Sequence, residues 1–139
     1  MSTSLQQFLR KYGTNTTTNF DLMRMAKELK IPHFHVCMRD EVSRSALKAP
    51  YNAIVNLHTS DEKGAHWSCF TDNYFFDSYG LPPTEEVKNL MKHGEYNTFQ
   101  LQIPSTKLCG QLCIFVLYQL NQGIPFLDIL LHIKSHISP

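Results

Sequence analysis

A thiol, an imidazole, a carboxylate and an amide stand in this chain where together they could break a peptide bond. Cys109 comes just after a loop holding Pro104 and Ser105, at the expected N-terminus of a strongly apolar helix. Unpaired N–H groups and the helix dipole favour an anion there, so a thiolate is stabilised. Gly110 follows and leaves the backbone open to a carbonyl, so the thiolate and its own N–H would be a nucleophile beside half an oxyanion hole. Cys109 equally reads as one of four small buried hydrophobes. His66, between Gly64-Ala65 and Trp67 at the start of a strand, is the candidate base. His58 on a strand, and His33 and His35 near Cys37, compete with it, as does the ordinary reading of a histidine as a surface or satisfied core group. Asp77 sits among Tyr74, Phe75, Phe76 and Tyr79; burying it needs a partner, and a histidine whose tautomer it fixes is a natural one. A strand-end aspartate facing water is the other reading. Gln102, seven residues before Cys109, could donate its amide to an oxyanion, or could face outward like Gln100.

The elements that must position these groups follow from hydrophobic period and breakers. A short amphipathic stretch (Leu5, Phe8, Leu9, Tyr12) precedes the Thr-rich loop 14–19, and residues 1–18 read as a peripheral N-terminal segment. Asn19 is the expected cap of a helix to Lys30, closed by Pro32. Phe34, Val36 and Met38 alternate as a strand, and residues 39–50 read as a surface loop. Strands are expected at 53–58, 66–70 and 74–79, the last two joined at Asp72-Asn73 as a hairpin. Thr84 opens a helix that should stop near His93-Gly94, and Phe99, Leu101 and Ile103 alternate as a further strand. The helix 109–122 is apolar almost all round and therefore buried, and a last amphipathic helix starts at Pro125. The sum is one α+β domain over 1–139, with a mostly antiparallel central sheet and the nucleophile at the start of a buried helix.

Composition excludes several classes. With 139 residues there is room for one core, and 42% hydrophobic with 18% charged residues argues against disorder. A net charge of +1 gives no strong electrostatic hold on nucleic acid. No apolar run could span a bilayer, the start lacks a signal-peptide core, and Ser2 stands where myristoylation needs glycine. Cytosol, nucleus or a virion interior are the expected locations, not secretion; the cysteines are expected reduced and the Asn15-Thr16-Thr17 sequon idle.

The order His66, Asp77, Gln102, Cys109 resembles the adenain family, the adenovirus-type maturation proteases and their relatives in virophages and Polinton-like elements, and more distantly the SUMO-deconjugating proteases. The matching pieces are Ala53-Ile54-Val55-Asn56, Gly64-Ala65-His66-Trp67, Tyr74 to Gly80, and Gln102-Ile103-Pro104-Ser105 running through Cys109-Gly110 to Cys113, spread over roughly residues 20–120. The resemblance implies a papain-like cysteine endopeptidase that matures capsid precursors at small-residue, often Gly-containing, sites. In it Cys109 attacks, His66 is base and then acid, Asp77 orients His66, and Gln102 with the Cys109 N–H holds the oxyanion. Asn56 matches a family position without an assigned role, and Trp67 is either a wall of the site or a core aromatic.

The chain also departs from the adenoviral enzymes. They carry glutamate at the position of Asp77, although relatives use aspartate. No cysteine lies between Cys69 and Cys109 to anchor a disulfide-linked activating peptide, and the low net charge argues against DNA as a cofactor. Protein or peptide substrates, with an activating peptide held in some other way, are the expected partners. Cys109 and Cys113 could supply two zinc ligands with His33, His35 or Cys37, but Cys113 lies in a wholly apolar helix and reads as core, so no metal and no cofactor are expected. The rival readings are a deconjugating protease for ubiquitin-like modifiers and a non-enzymatic capsid-assembly protein.

Overall fold

Two reciprocal caps set the first helices. In the computed structural model, which describes residues 4–44, 47–57, 66–91, 94–101 and 107–137, Ser4 and Gln7 exchange side-chain and backbone bonds at the start of α1 (Leu5–Tyr12). Thr18 and Asp21 do the same for α2 (Asn19–Glu28). The cap is therefore Thr18 and not Asn19, because the threonine hydroxyl reaches the Asp21 amide while the Asp21 carboxylate reaches back.

The strands are β1 (Phe34–Met38), β2 (Asn52–Asn56), β3 (Trp67–Thr71), β4 (Tyr74–Phe76) and β5 (Glu95–Tyr96), in the spatial order β1-β2-β3-β4-β5. The sheet is antiparallel at its centre, β2 with β3 and β3 with β4, and parallel at both edges. The hairpin turn falls at Asp72-Asn73 as expected, closed by the Thr71 hydroxyl, which accepts the amides of Asn73 and Tyr74. The two-residue period sorts the strands onto two faces. Ile54, Cys69 and Phe76 lie in register toward the larger core, with α1, α2, α4 (Cys109–Asn121) and α5 (Phe126–Ile137). Ala53, Val55, Phe70 and Phe75 join a smaller cluster with Tyr51, Val42 and Val87. α4 is buried from Cys109 through Leu117 and packs on β3, which is what an apolar circumference requires. No helix among the described residues is long and apolar enough to cross a membrane.

Three further expectations are corrected here. Residues 39–50 are not all loop: a 3₁₀ helix occupies Arg39–Arg44, buries Val42, and its Glu41 carboxylate takes the Met38 amide at 2.7 Å. The helix opened by Thr84 is α3 (Glu85–Lys88), a single turn, and the Tyr51 hydroxyl donates to the Leu90 carbonyl at 2.7 Å just beyond it. The alternation at Phe99 and Leu101 buries Leu101 without making a strand; its amide donates to the Ser78 carbonyl, while the pairing with β4 is made earlier, by β5. Ile103 and His58 lie outside the described residues.

Residues 4–18 are not peripheral either. Leu5 and Phe8 enter the larger core, Phe8 meets the Phe115 ring edge-on at 5.5 Å, and the Leu5 amide donates to His132. Phe8→Ala should therefore lower the unfolding free energy by about 3–5 kcal/mol, the range for truncating a buried aromatic. Urea denaturation would measure it, and a loss below about 0.5 kcal/mol, typical of surface changes, would contradict the packing.

Candidate active site

The hairpin register builds the acid–base pair. Cys69 lies opposite Phe76 and Phe70 opposite Phe75. The same register continued places Ser68 across from Asp77 and His66 across from Tyr79. The contacts follow it: the Ser68 hydroxyl donates to Asp77 Oδ2 at 2.5 Å, His66 Nε2 meets the same oxygen at 2.9 Å, and the His66 ring stacks on Tyr79 with centroids 4.5 Å apart. Asp77 itself sits one residue past β4, where the amides of Tyr79 and Leu81 reach Oδ1 at 2.8 and 3.4 Å. Its side chain is 0% exposed and that of His66 12%. The reading of Asp77 as a water-facing aspartate is thus excluded.

Cys109 is the first residue of α4 and is buried. The helix starts without a side-chain cap, since Leu108 at the cap position has no polar group to offer. The Trp67 amide donates to Cys109 Sγ at 3.5 Å, so the residue after His66 holds the sulfur directly. With Nε2 given to Asp77, His66 Nδ1 is buried without a hydrogen-bond partner. The Cys109 sulfur is close enough to favour the charged ring.

The protonation states follow from these neighbours. Burial alone would lower His66, but its bond to Asp77 and the neighbouring Cys109 sulfur outweigh this and raise it to about 9. Burial would raise the Cys109 thiol, but His66, the Trp67 amide and the Gly110 amide stabilise the thiolate and hold it below the ordinary thiol value. Burial likewise works against the Asp77 carboxylate, and His66, Ser68 and the Tyr79 amide overcome it, so Asp77 stays ionised below the usual carboxylate range. Because His66 is raised above its unfolded value of about 6.5, its contribution to stability is complete below that pH and is lost as pH rises through about 9.

The surroundings lock both halves of the pair. Cys113, one turn along α4, is fully buried and donates its S–H to the Trp67 carbonyl at 3.4 Å, so the Trp67 backbone is held by two sulfurs, one on each side of its Cα. Trp67 is a core aromatic whose indole N–H donates to the Thr17 carbonyl at 3.2 Å. Gln111 donates to the carbonyls of Gly13 and Asn15, drawing the N-terminal segment across the start of α4. Gly110 is small for that reason: a methyl there would collide with the Thr17 hydroxyl.

His66, Asp77 and Cys109 are thus brought together. Gln102 lies outside the described residues, as do Pro104 and Ser105. Cys37 belongs to the opposite face of the sheet from Cys109, and burial with Glu41 nearby raises its thiol to about 11. Among the described residues no three His, Cys, Asp or Glu side chains are placed to share a metal ion. Asn56 is buried opposite Trp67 at the end of β2. Ser68 and Asn97 are site residues that motif reading missed. The hairpin register alone could have found Ser68, because it faces Asp77, whereas nothing in the local sequence marks Asn97.

No protein-family profile matches the chain, and no curated protein matches it in sequence. Solved structures do. The crystal structure of Se-Met ASFV pS273R protease superposes with a TM-score of 0.57 at 14% identity, covering 89% of this chain and 67% of that one. A second crystal structure of ASFV pS273R protease gives 0.55 at 16% identity with the same coverage. At these identities the likeness is one of fold: this chain has the α+β fold of a viral protease, with its buried helix opening at Cys109.

The ion pair makes a direct prediction. Iodoacetamide at pH 6, with peptide mapping by mass spectrometry, should label Cys109 well ahead of Cys37 and Cys113. His66→Ala should move the midpoint of the Cys109 labelling profile up toward the ordinary thiol value of about 8.5. A profile unchanged by that substitution would mean that His66 does not stabilise the thiolate.

Proposed function

We propose that this chain is a cysteine endopeptidase of the adenain type that cleaves capsid or other precursor proteins at small-residue, Gly-containing sites during virion maturation. The observation that carries the enzymatic part is the convergence of the Cys109 sulfur and the Asp77 carboxylate on His66, with Asp77 fully buried and satisfied. The viral part draws on the motif resemblance over residues 53–113 and on the fold shared with the ASFV protease.

In this reading the Cys109 thiolate adds to the substrate carbonyl carbon, forming a C–S bond while the carbonyl electron pair moves onto oxygen. The Cys109 N–H and the Gln102 amide would hold that oxyanion. His66 then gives its Nδ1 proton to the departing amine as the C–N bond breaks, leaving a thioester and a neutral imidazole. Water attacks the thioester, His66 takes its proton, and the C–S bond breaks to restore the thiolate and imidazolium. Asp77 remains ionised throughout and keeps Nε2 protonated. The chemistry needs neither metal nor cofactor, and in this reading the protein works in the virion and the host cell.

The test is a cleavage assay on virion precursor proteins and derived peptides, with product ends located by mass spectrometry. Wild type should cut beside small residues, and Cys109→Ala should lose at least about 10³-fold in rate, as removal of a nucleophile does. Activity should rise below the ordinary thiol range, where the thiolate forms, and fall as His66 loses its proton through about pH 9. Equal cleavage by Cys109→Ala would refute the assignment. Cleavage confined to ubiquitin-like fusions would transfer the same chemistry to a deconjugase.

A further inference from the structure

Asp77 lies one residue beyond the end of β4, so no strand ladder holds its main chain. Asn97 does. It follows β5 directly and is 2% exposed. Its Oδ1 accepts the Asp77 amide at 3.0 Å and its Nδ2 donates to the Asp77 carbonyl at 2.6 Å. This is the pair of bonds that a neighbouring strand residue would make with its backbone. Nδ2 also donates to the Phe99 carbonyl at 3.1 Å.

One amide thus grips both polar groups of residue 77 and ties them to the segment that runs on into Gln102. That segment is fixed to the same turn at two further points. The Leu101 amide donates to the Ser78 carbonyl. The Phe99 backbone lies so close to Gly80, whose φ is +77°, that a methyl there would press into it. With the peptide groups on either side of Asp77 held, its Cα–Cβ direction is set, and so is the line along which Oδ2 meets His66. The carboxylate oxygens are filled by His66, Ser68, Tyr79 and Leu81, and the Asp77 carbonyl also accepts the Gly80 amide at 2.9 Å, so Asn97 adds its hold on the Asp77 amide to a turn already closed at the carbonyl.

We infer that Asn97 is a positioning residue of the catalytic apparatus: it aims the Asp77 carboxylate at His66 and links that carboxylate to the segment leading to Gln102. The inference rests on the cysteine-protease reading above. An asparagine that merely satisfied a buried turn would affect stability alone. A positioning asparagine also controls how well His66 stays protonated beside Cys109, and hence the pH at which the thiolate forms.

The experiment compares iodoacetamide labelling of Cys109 between pH 5 and 9, with mass mapping, in wild type, Asn97→Ala and a control, Ile133→Ala. Ile133 is a buried side chain of α5 in the larger core and serves as a matched loss of stability. Thermal melting establishes that each protein is folded under the labelling conditions. Asn97→Ala should shift the profile to higher pH and slow labelling at pH 6 about tenfold, the equivalent of about one pKa unit. Ile133→Ala should overlay wild type even though it melts earlier. An Asn97→Ala protein that melts earlier but labels like wild type overturns the inference. Should Asn97→Ala not fold, Asn97→Ser, whose hydroxyl can replace one of the three bonds, is read by the same two outcomes. If wild-type Cys109 itself labels as an ordinary thiol, the protease reading fails and this inference with it, so the two failures appear in different samples.

Discussion

A carboxylate with no exposed surface is the constraint around which this site is arranged. Left unpaired in the interior, an ionised Asp77 would cost several kcal/mol. Here Oδ2 receives His66 and Ser68, and Oδ1 receives two backbone amides. Each donor serves the charge, but only His66 carries it further, because a ring held protonated on one side can stabilise an anion on the other. That anion is the Cys109 thiolate. The dependence runs through a buried acid, a charged imidazole and a sulfur favoured as thiolate, each helped into its charged form by its neighbour.

The fold's task is to keep sheet and helix in register while this happens. Acid and base come from the two arms of one hairpin, so a tight turn fixes them relative to each other. The sulfur comes from a different element, and its alignment depends on contacts across the gap. The Trp67 backbone supplies two of these, giving its N–H to Cys109 and taking the S–H of Cys113, both on the same side of α4 at the spacing of one turn. Behind them the N-terminal segment reaches Trp67 through the Thr17 carbonyl and α4 through Gln111. That segment, through the Thr17 hydroxyl, explains the glycine that follows Cys109.

Much of this was legible before the structure. The hairpin, the apolar helix beginning at Cys109 and the two-residue alternation on the central strands follow from patterns that tertiary contacts reinforce. What was misread depended on side chains standing in for backbone. Phe99 and Leu101 alternate like a strand, yet the Asp77 groups that a strand would have paired are taken by the Asn97 amide, twenty residues away in sequence. Thr18 rather than Asn19 caps α2, a choice set by which hydroxyl reaches Asp21. Residues 4–18 looked peripheral because their side chains between the two helices are polar, whereas what the molecule uses there is their carbonyl oxygens. Ser68 was readable in principle: the turn at Asp72-Asn73 fixes the register, and the register puts it opposite the acid.

The central claim is that the buried Asp77 carboxylate keeps His66 charged beside Cys109 in the resting protein. It is tested most directly by NMR titration of the histidine ring signals, with His66 assigned by comparison with His66→Gln. The account predicts an imidazolium that persists through neutral pH and loses its proton near 9. A midpoint at or below the ordinary histidine value of about 6.5 would contradict it, because a neutral resting His66 would leave the Cys109 thiolate without the partner that stabilises it.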